Sequence, residues 1–274
     1  MNRYDTHVHT LFSHDGRDPM ADYASRVDAG IADGIGFSEH AEFRPGSSVR
    51  GALDTPGYLE SVADWRRRGY DFYAGVEIGW SPAQADEIQT YLGHHRFGFV
   101  IGSVHNLPVA AISGRDPRGF ANAEVFDQVI TQYGEAVESS LAVEAFDVVG
   151  HPGVFLRHLS REFCQAPGRQ EKIQDLEDDM AWRIARSSQL LEVNTSGMFS
   201  ARGEPCAGRF LLERYRLHGG RTVTLGSDAH RAADLRRGFP DAAELLRGLG
   251  FTEVFLPWDK AHPVPLDEFA SPPL

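Results

Sequence analysis

The chain has only two cysteines, Cys164 and Cys206, and neither belongs to a CxxC or comparable spacing. That pattern offers neither a disulfide framework nor a thiolate metal site, and both residues read as free thiols. No apolar run of about eighteen residues occurs, so no transmembrane helix and no membrane partner are expected. The opening MNRYDTHVHT lacks the apolar stretch of a signal peptide, which leads to the expectation of a cytoplasmic protein. Basic charge is short as well: 27 Lys and Arg stand against 39 Asp and Glu, a formal −12. A surface of that sign repels nucleic acid, and no polynucleotide partner is expected.

What the sequence has is alternation. Strand-like runs rich in Val, Ile and Phe are found at 3–8, 35–40, 72–79, 97–105, 145–151, 190–196, 222–228 and 252–257. Helix-like stretches lie between them at 18–33, 57–68, 83–94, 123–143, 169–189, 206–218 and 232–249. Apolar strands separated by helices indicate a parallel sheet covered on both faces, and the βα order implies a barrel or a doubly wound sheet. Residues 41–55 and 106–122, rich in Gly, Pro, Arg and Ser, read as long loops above one end. A single domain over 1–274 is expected, with a Pro-rich tail from about 258 that wraps or trails, in a monomer or homodimer.

Seven of the twelve histidines fall in short motifs that close these strands. They are DTHVHT (His7, His9), FSHDG (His14), FSEH (His40), IGSVH (His105), VGHPG (His151) and GSDAH (Asp228, His230), with Glu77 in AGVEIG. His7 and His9, two apart on a strand, project from one face. A barrel gathers its chemistry at the C-terminal ends of its strands, whereas a doubly wound sheet gathers ligands only near its switch point. The spread of the motifs therefore favours the barrel. One histidine is a weak signal; the whole set indicates a polynuclear metal site. Imidazole-rich shells suit Zn, Mn or Fe, while Ca²⁺ and Mg²⁺ prefer oxygen. Three divalent ions against two carboxylates leave about four positive charges, most of which hydroxide and a phosphate dianion offset. The site thus favours phosphate-ester over peptide hydrolysis.

With these motifs assembled, the chain resembles the PHP (polymerase and histidinol phosphatase) family over about residues 3–230. The resemblance implies a distorted (β/α)₇ TIM-like barrel around a trinuclear site of divalent transition-metal ions. It also implies nine ligands: His7, His9, His14, His40, Glu77, His105, His151, Asp228 and His230. FVIGSVHNLP, LLEVNTSG, TVTLGSDAH and GFPDAAELLRGLGF (238–251) are similar to the histidinol-phosphatase branch. That likeness implies hydrolysis of L-histidinol phosphate to L-histidinol and phosphate in histidine biosynthesis. Segments 41–55 and 106–122 match no substrate-binding pattern, and ARGEP (201–205) departs from the branch's pattern after NTSG. Another small phosphomonoester or phosphotyrosine is the alternative substrate, and a nucleic-acid exonuclease the more distant reading.

That chemistry assigns roles. Hydroxide bridging two ions is expected to attack phosphorus. Arg157, six residues past His151, is the first candidate to bind the phosphoryl oxygens, because guanidinium matches phosphate bidentately. Arg161 and Arg202 are weaker candidates. A metal-bound water could protonate the leaving alkoxide, or Asp228 or His230 could if not fully engaged. Asn194 could touch substrate or bond within its turn. Asp5 could orient an imidazole or form a structural hydrogen bond, and Glu39 reads as structural.

Overall fold

The computed structural model describes residues 2–112 and 123–270. Residues 113–122, part of the expected loop at 106–122, lie outside the described residues. Seven strands run in the order β1 (Tyr4–Val8), β2 (Gly34–Ala41), β3 (Asp71–Gly79), β4 (Phe99–Ser103), β5 (Val148–Val149), β6 (Leu190–Asn194) and β7 (Val223–Gly226). Each pairs with the next in parallel. The connections carry α1 (Met20–Asp28), α2 (Thr55–Arg67), α3 (Ala85–His94), α4 (Ala123–Leu141), α5 (Arg161–Gln165), α6 (Arg169–Ile184) and α7 (Arg209–Leu217). A further helix, α8 (Phe239–Gly248), comes after β7. Strands buried on both faces explain the near-continuous apolar runs; β4 and β6 are buried throughout.

The sheet closes into a distorted (β/α)₇ barrel. Val8 bridges Ala229 in parallel, the His9 N–H donates to the Ala229 carbonyl at 2.9 Å, and the Asp228 N–H donates to the His7 carbonyl at 2.9 Å. Asp5 pins this seam. Its carboxylate accepts from the Ser227 N–H, the Ser227 hydroxyl, the Arg236 N–H and the His7 N–H. Of the two readings of Asp5, the structural hydrogen bond is the one found.

Three sequence expectations shift. The strand expected at 145–151 contracts to two residues, because the His151 N–H turns away from the ladder to the Glu192 carboxylate. The helix expected at 232–249 starts only at Phe239: Arg236 and Gly238 have φ of 57° and 82°, which no α-helix accommodates. The strand expected at 252–257 becomes β8 (Glu253–Leu256), which pairs antiparallel with β9 (Asp259–Pro265) outside the barrel sheet. Between them Trp258 stacks on Tyr73 at 4.1 Å and meets Tyr4 and Phe99 edge-on or tilted. These residues begin β1, β3 and β4, so the hairpin plugs the N-terminal end of the barrel. A Cβ on Gly36 would run into the Trp258 ring, so only glycine fits there. The described part of the Pro-rich segment wraps the floor and includes α9 (Leu266–Phe269), whose Phe269 stacks on Phe239; residues 271–274 lie outside the described residues.

Asp5→Ala would leave four buried donors at the seam unpaired, a loss of about 3 kcal/mol or more. Urea unfolding monitored by circular dichroism measures it; a loss below about 1 kcal/mol would show that the seam is held by other contacts.

Candidate metal centre

Eight of the nine expected ligand residues are carried at or just beyond the C-terminal ends of the strands, and His14 follows in the loop after β1. His7 and His9 leave β1, His40 and Glu77 end β2 and β3, and His105, His151, Asp228 and His230 come after β4, β5 and β7. Backbone geometry aims two of them: His151 and Asp228 have φ of 27° and 56°. Non-glycine residues in that region carry strain of about 1–3 kcal/mol each, offset here by the hydrogen bonds of their own N–H groups to Glu192 and His7.

Eight of the nine fall into groups able to hold an ion: His7 with His9 and Asp228; His9 with His40 and His230; and Glu77 with His105 and His151. A fourth group joins His40 and His105 to Glu42. His14 is placed at the lip, with its side chain 32% exposed and its Nε2 3.8 Å from Asp15, and it belongs to none of these groups.

The ring orientations decide what the cluster can do. His7 Nδ1 lies 2.6 Å from Glu192, His105 Nδ1 2.6 Å from Glu42, and His230 Nδ1 2.9 Å from the Asp228 carbonyl. His9 Nδ1 lies 3.1 Å from Ser13 Oγ, and that hydroxyl donates to Glu39. Each acceptor holds the proton on Nδ1 and leaves the Nε2 lone pair facing inward. Two such pairs are close: His7 Nε2 to His9 Nε2 at 3.0 Å, and His105 Nε2 to His151 Nε2 at 3.4 Å. Lone pairs so near repel unless a proton or a metal cation lies between them, and bonds of about 2.0–2.1 Å to a shared ion produce such spacings. Glu77 Oε2 and His40 Nδ1 lie 2.8 Å apart, yet both are buried and neither has a well-aligned hydrogen bond. The residues present therefore fit a set of divalent cations.

Electrostatics agree. Burial opposes ionisation of Glu77, but His105, His40 and His7 hold its carboxyl well below the usual range. Asp228 is likewise held low against burial by His9, His7 and His230. Burial works against charge on His7 and His105, yet Glu192 with Glu77, and Glu77 with Glu42, raise them well above the ordinary value. His9, surrounded by other imidazoles, is pushed well down by burial and by His40 and His230.

Arg157 lines the cavity over the cluster, with Nη1 3.8 Å from Asp228 Oδ2 and 3.3 Å from Ser196 Oγ. Two other substrate candidates are placed elsewhere. Asn194 is fully buried, its Oδ1 accepting from the Ser196 N–H and hydroxyl and its Nδ2 donating to Glu192. Of its two readings, turn bonding is the one found. Arg202 meets Glu177 at 3.4 Å and does not line the cavity over the histidines; Arg161 donates to the Arg202 carbonyl. Glu39 takes more than a structural part, since it reaches His9 through Ser13.

Sequence reasoning missed Asp15, Glu42 and Glu192. Asp15 bridges toward His40 and His230 at 3.6 and 3.2 Å. The signals were available: Glu42 stands two residues past His40, Glu192 two before Asn194 on β6, and Asp15 directly after His14.

Comparison with known proteins adds family and fold. A family profile described as PHP domain matches residues 5–196. A "Probable histidinol-phosphatase" of Thermotoga maritima is 24% identical over 251 residues, covering 90% of this chain and 92% of the relative. The "Histidinol-phosphatase" of Lactococcus lactis subsp. lactis is 24% identical over 268 residues, covering 93% and 94%. A crystal structure of histidinol phosphate phosphatase from Lactococcus lactis, complexed with zinc, L-histidinol and phosphate, aligns with TM-score 0.74 at 21% identity. That alignment covers 94% of this chain and 98% of the other. No helix among the described residues is long and apolar enough to cross a membrane. With seven parallel strands closed around histidine-bearing ends and a profile match over most of its length, the chain belongs to the PHP domain family.

Proposed function

We propose that the chain is a metal-dependent phosphomonoesterase that hydrolyses L-histidinol phosphate to L-histidinol and phosphate. The observation that carries this reading is one cavity in which His14, His40, His105, His151, Asp228 and His230 converge beside the Arg157 guanidinium. Likeness along nearly the whole chain to curated histidinol-phosphatases, and a structural neighbour solved with L-histidinol and phosphate, support the choice of monoester.

His7, His9, His14, His40, Glu77, His105, His151, Asp228 and His230 would hold three divalent ions, zinc, manganese or iron. Bound ions of this kind supply Lewis acidity and lower the pKa of water to about 7. The chain's own residues do the rest. Arg157 binds non-bridging phosphoryl oxygens and orients phosphorus over the cluster. Asp228 turns Oδ1 toward His9 at 3.3 Å and Oδ2 toward Ser196 and Arg157. Held ionised by His9, His7 and His230, Asp228 is placed to relay through Oδ2, rather than to supply, the proton that the departing alkoxide gains. His230, at 3.2 Å from Asp15, is the second group at the lip able to do so. Glu42, Glu192 and the Glu39–Ser13 relay keep the imidazoles in the required tautomer.

Phosphate release from L-histidinol phosphate, compared with sugar phosphates, nucleotides and phosphotyrosine, tests the reading. Zinc- or manganese-loaded protein is expected to favour histidinol phosphate by about tenfold or more in kcat/KM. A chelator should abolish turnover, and added metal should restore it. Preference for another monoester would overturn the substrate, and no turnover of any phosphate would overturn the reaction class. Arg157→Ala is expected to lower kcat/KM by about 100-fold; unchanged kinetics would remove Arg157 from the mechanism. Glu42→Gln should weaken ion binding by about 10–100-fold with the fold intact, as read by competition against a chromogenic chelator.

A further inference from the structure

A second cavity, of about 190 Å³, lies between α5, α6 and residues 202–210. Arg161, Gln174, Glu177, Arg202 and Glu204 are among its lining residues, and none of the nine proposed ligands is. Glu177, on α6, is 2% exposed. Its carboxylate meets one cation, Arg202, through a single loose contact of 3.4 Å. Burial pushes the Glu177 carboxyl up to about 7; Arg202 pulls against that rise and Glu204 adds to it.

The donors are as underused as the acceptors. A guanidinium carries five N–H groups, and Arg202 turns one nitrogen to Glu177 with no other side-chain partner among the described residues. Arg161 turns Nε and Nη2 to the Arg202 carbonyl and leaves Nη1 without a partner among the described residues. Two acids and two guanidiniums therefore line one void: Glu177 is buried, Arg202 and Glu204 are half-buried, Glu204 also accepts from the Arg209 N–H at 3.4 Å, and Arg161 reaches the void from its exposed side. Buried charge in that condition is stabilised by a ligand that supplies the missing partners.

We propose that this cavity binds a small zwitterion of the α-amino acid class, its ammonium on Glu177 and Glu204 and its carboxylate on Arg161 and Arg202. A ligand of net charge zero completes both halves without adding charge to the site. The volume is below the about 300–1,000 Å³ of clefts that take drug-sized molecules, which limits the occupant to a few heavy atoms. The inference is independent of which monoester the metal centre hydrolyses.

Isothermal titration calorimetry of the full, metal-loaded chain with a panel of L-amino acids, their amides and their decarboxylated amines tests it. At least one amino acid is expected to bind, with its amide and its amine each at least about tenfold weaker. Glu177→Gln should weaken that binding by about tenfold or more while leaving the phosphatase kinetics unchanged. Gln174→Trp, which fills the void from a partly exposed helix position, should abolish it, and it carries the test if Glu177→Gln fails to fold. No binding by the wild-type chain, binding that ignores loss of either ligand charge, or binding unchanged in a folded variant would each overturn the site.

Discussion

The seam between β1 and β7 is the constraint on which the rest of the molecule depends. Four of the nine proposed ligand residues, His7, His9, Asp228 and His230, sit on its two sides. The hydrogen bond from the Asp228 N–H to the His7 carbonyl fixes their separation. Asp5 holds the same seam one layer lower, through backbone donors on both strands. Because the carboxylate is buried and every contact is a hydrogen bond of defined direction, the closure has one register. An open sheet of the same strands would leave these residues apart.

Above the seam, the molecule solves a problem of buried charge. Glu39, Glu77 and Glu192 are fully buried, and Glu42 nearly so. Isolated carboxylates at such depth are expensive. Here each is tied to an imidazole, directly or through Ser13, and the imidazoles turn their other nitrogens toward a common centre. The acids thus work in two directions, fixing tautomers on one side and offsetting positive charge on the other. The same logic explains why strain is tolerated at His151 and Asp228: the bonds that aim these residues also complete the barrel.

Much of this was legible in the sequence. The fold was readable from βα alternation and from motifs that close strand after strand, since a barrel alone collects the ends of nearly all its strands. What the sequence hid were positions whose role depends on a strand two places away around the barrel. Glu42 and Glu192 carry no motif, and their meaning appears only when β2 lies against His105 and β6 against His7. Arg202 follows NTSG closely in the chain, yet it meets Glu177 and does not line the cavity over the histidines. The strand at β5 was overestimated because its apolar composition is that of a longer strand, whereas His151 leaves the ladder for Glu192. The hairpin of β8 and β9 was split between strand and tail because its pairing is antiparallel and peripheral.

The plugged floor has a consequence for traffic. With Trp258 and its neighbours sealing the N-terminal end, a reactant and both products pass the C-terminal end, where the described residues open the cavity over the histidines. The phosphoryl group would bind at the bottom of that passage, against the cluster and Arg157, with the alcohol portion above it. In that arrangement the alcohol would leave first and inorganic phosphate last, so accumulated phosphate would compete with incoming monoester for the same seat. A barrel sealed at its floor would tie the pace of the catalyst to how quickly its smaller product departs.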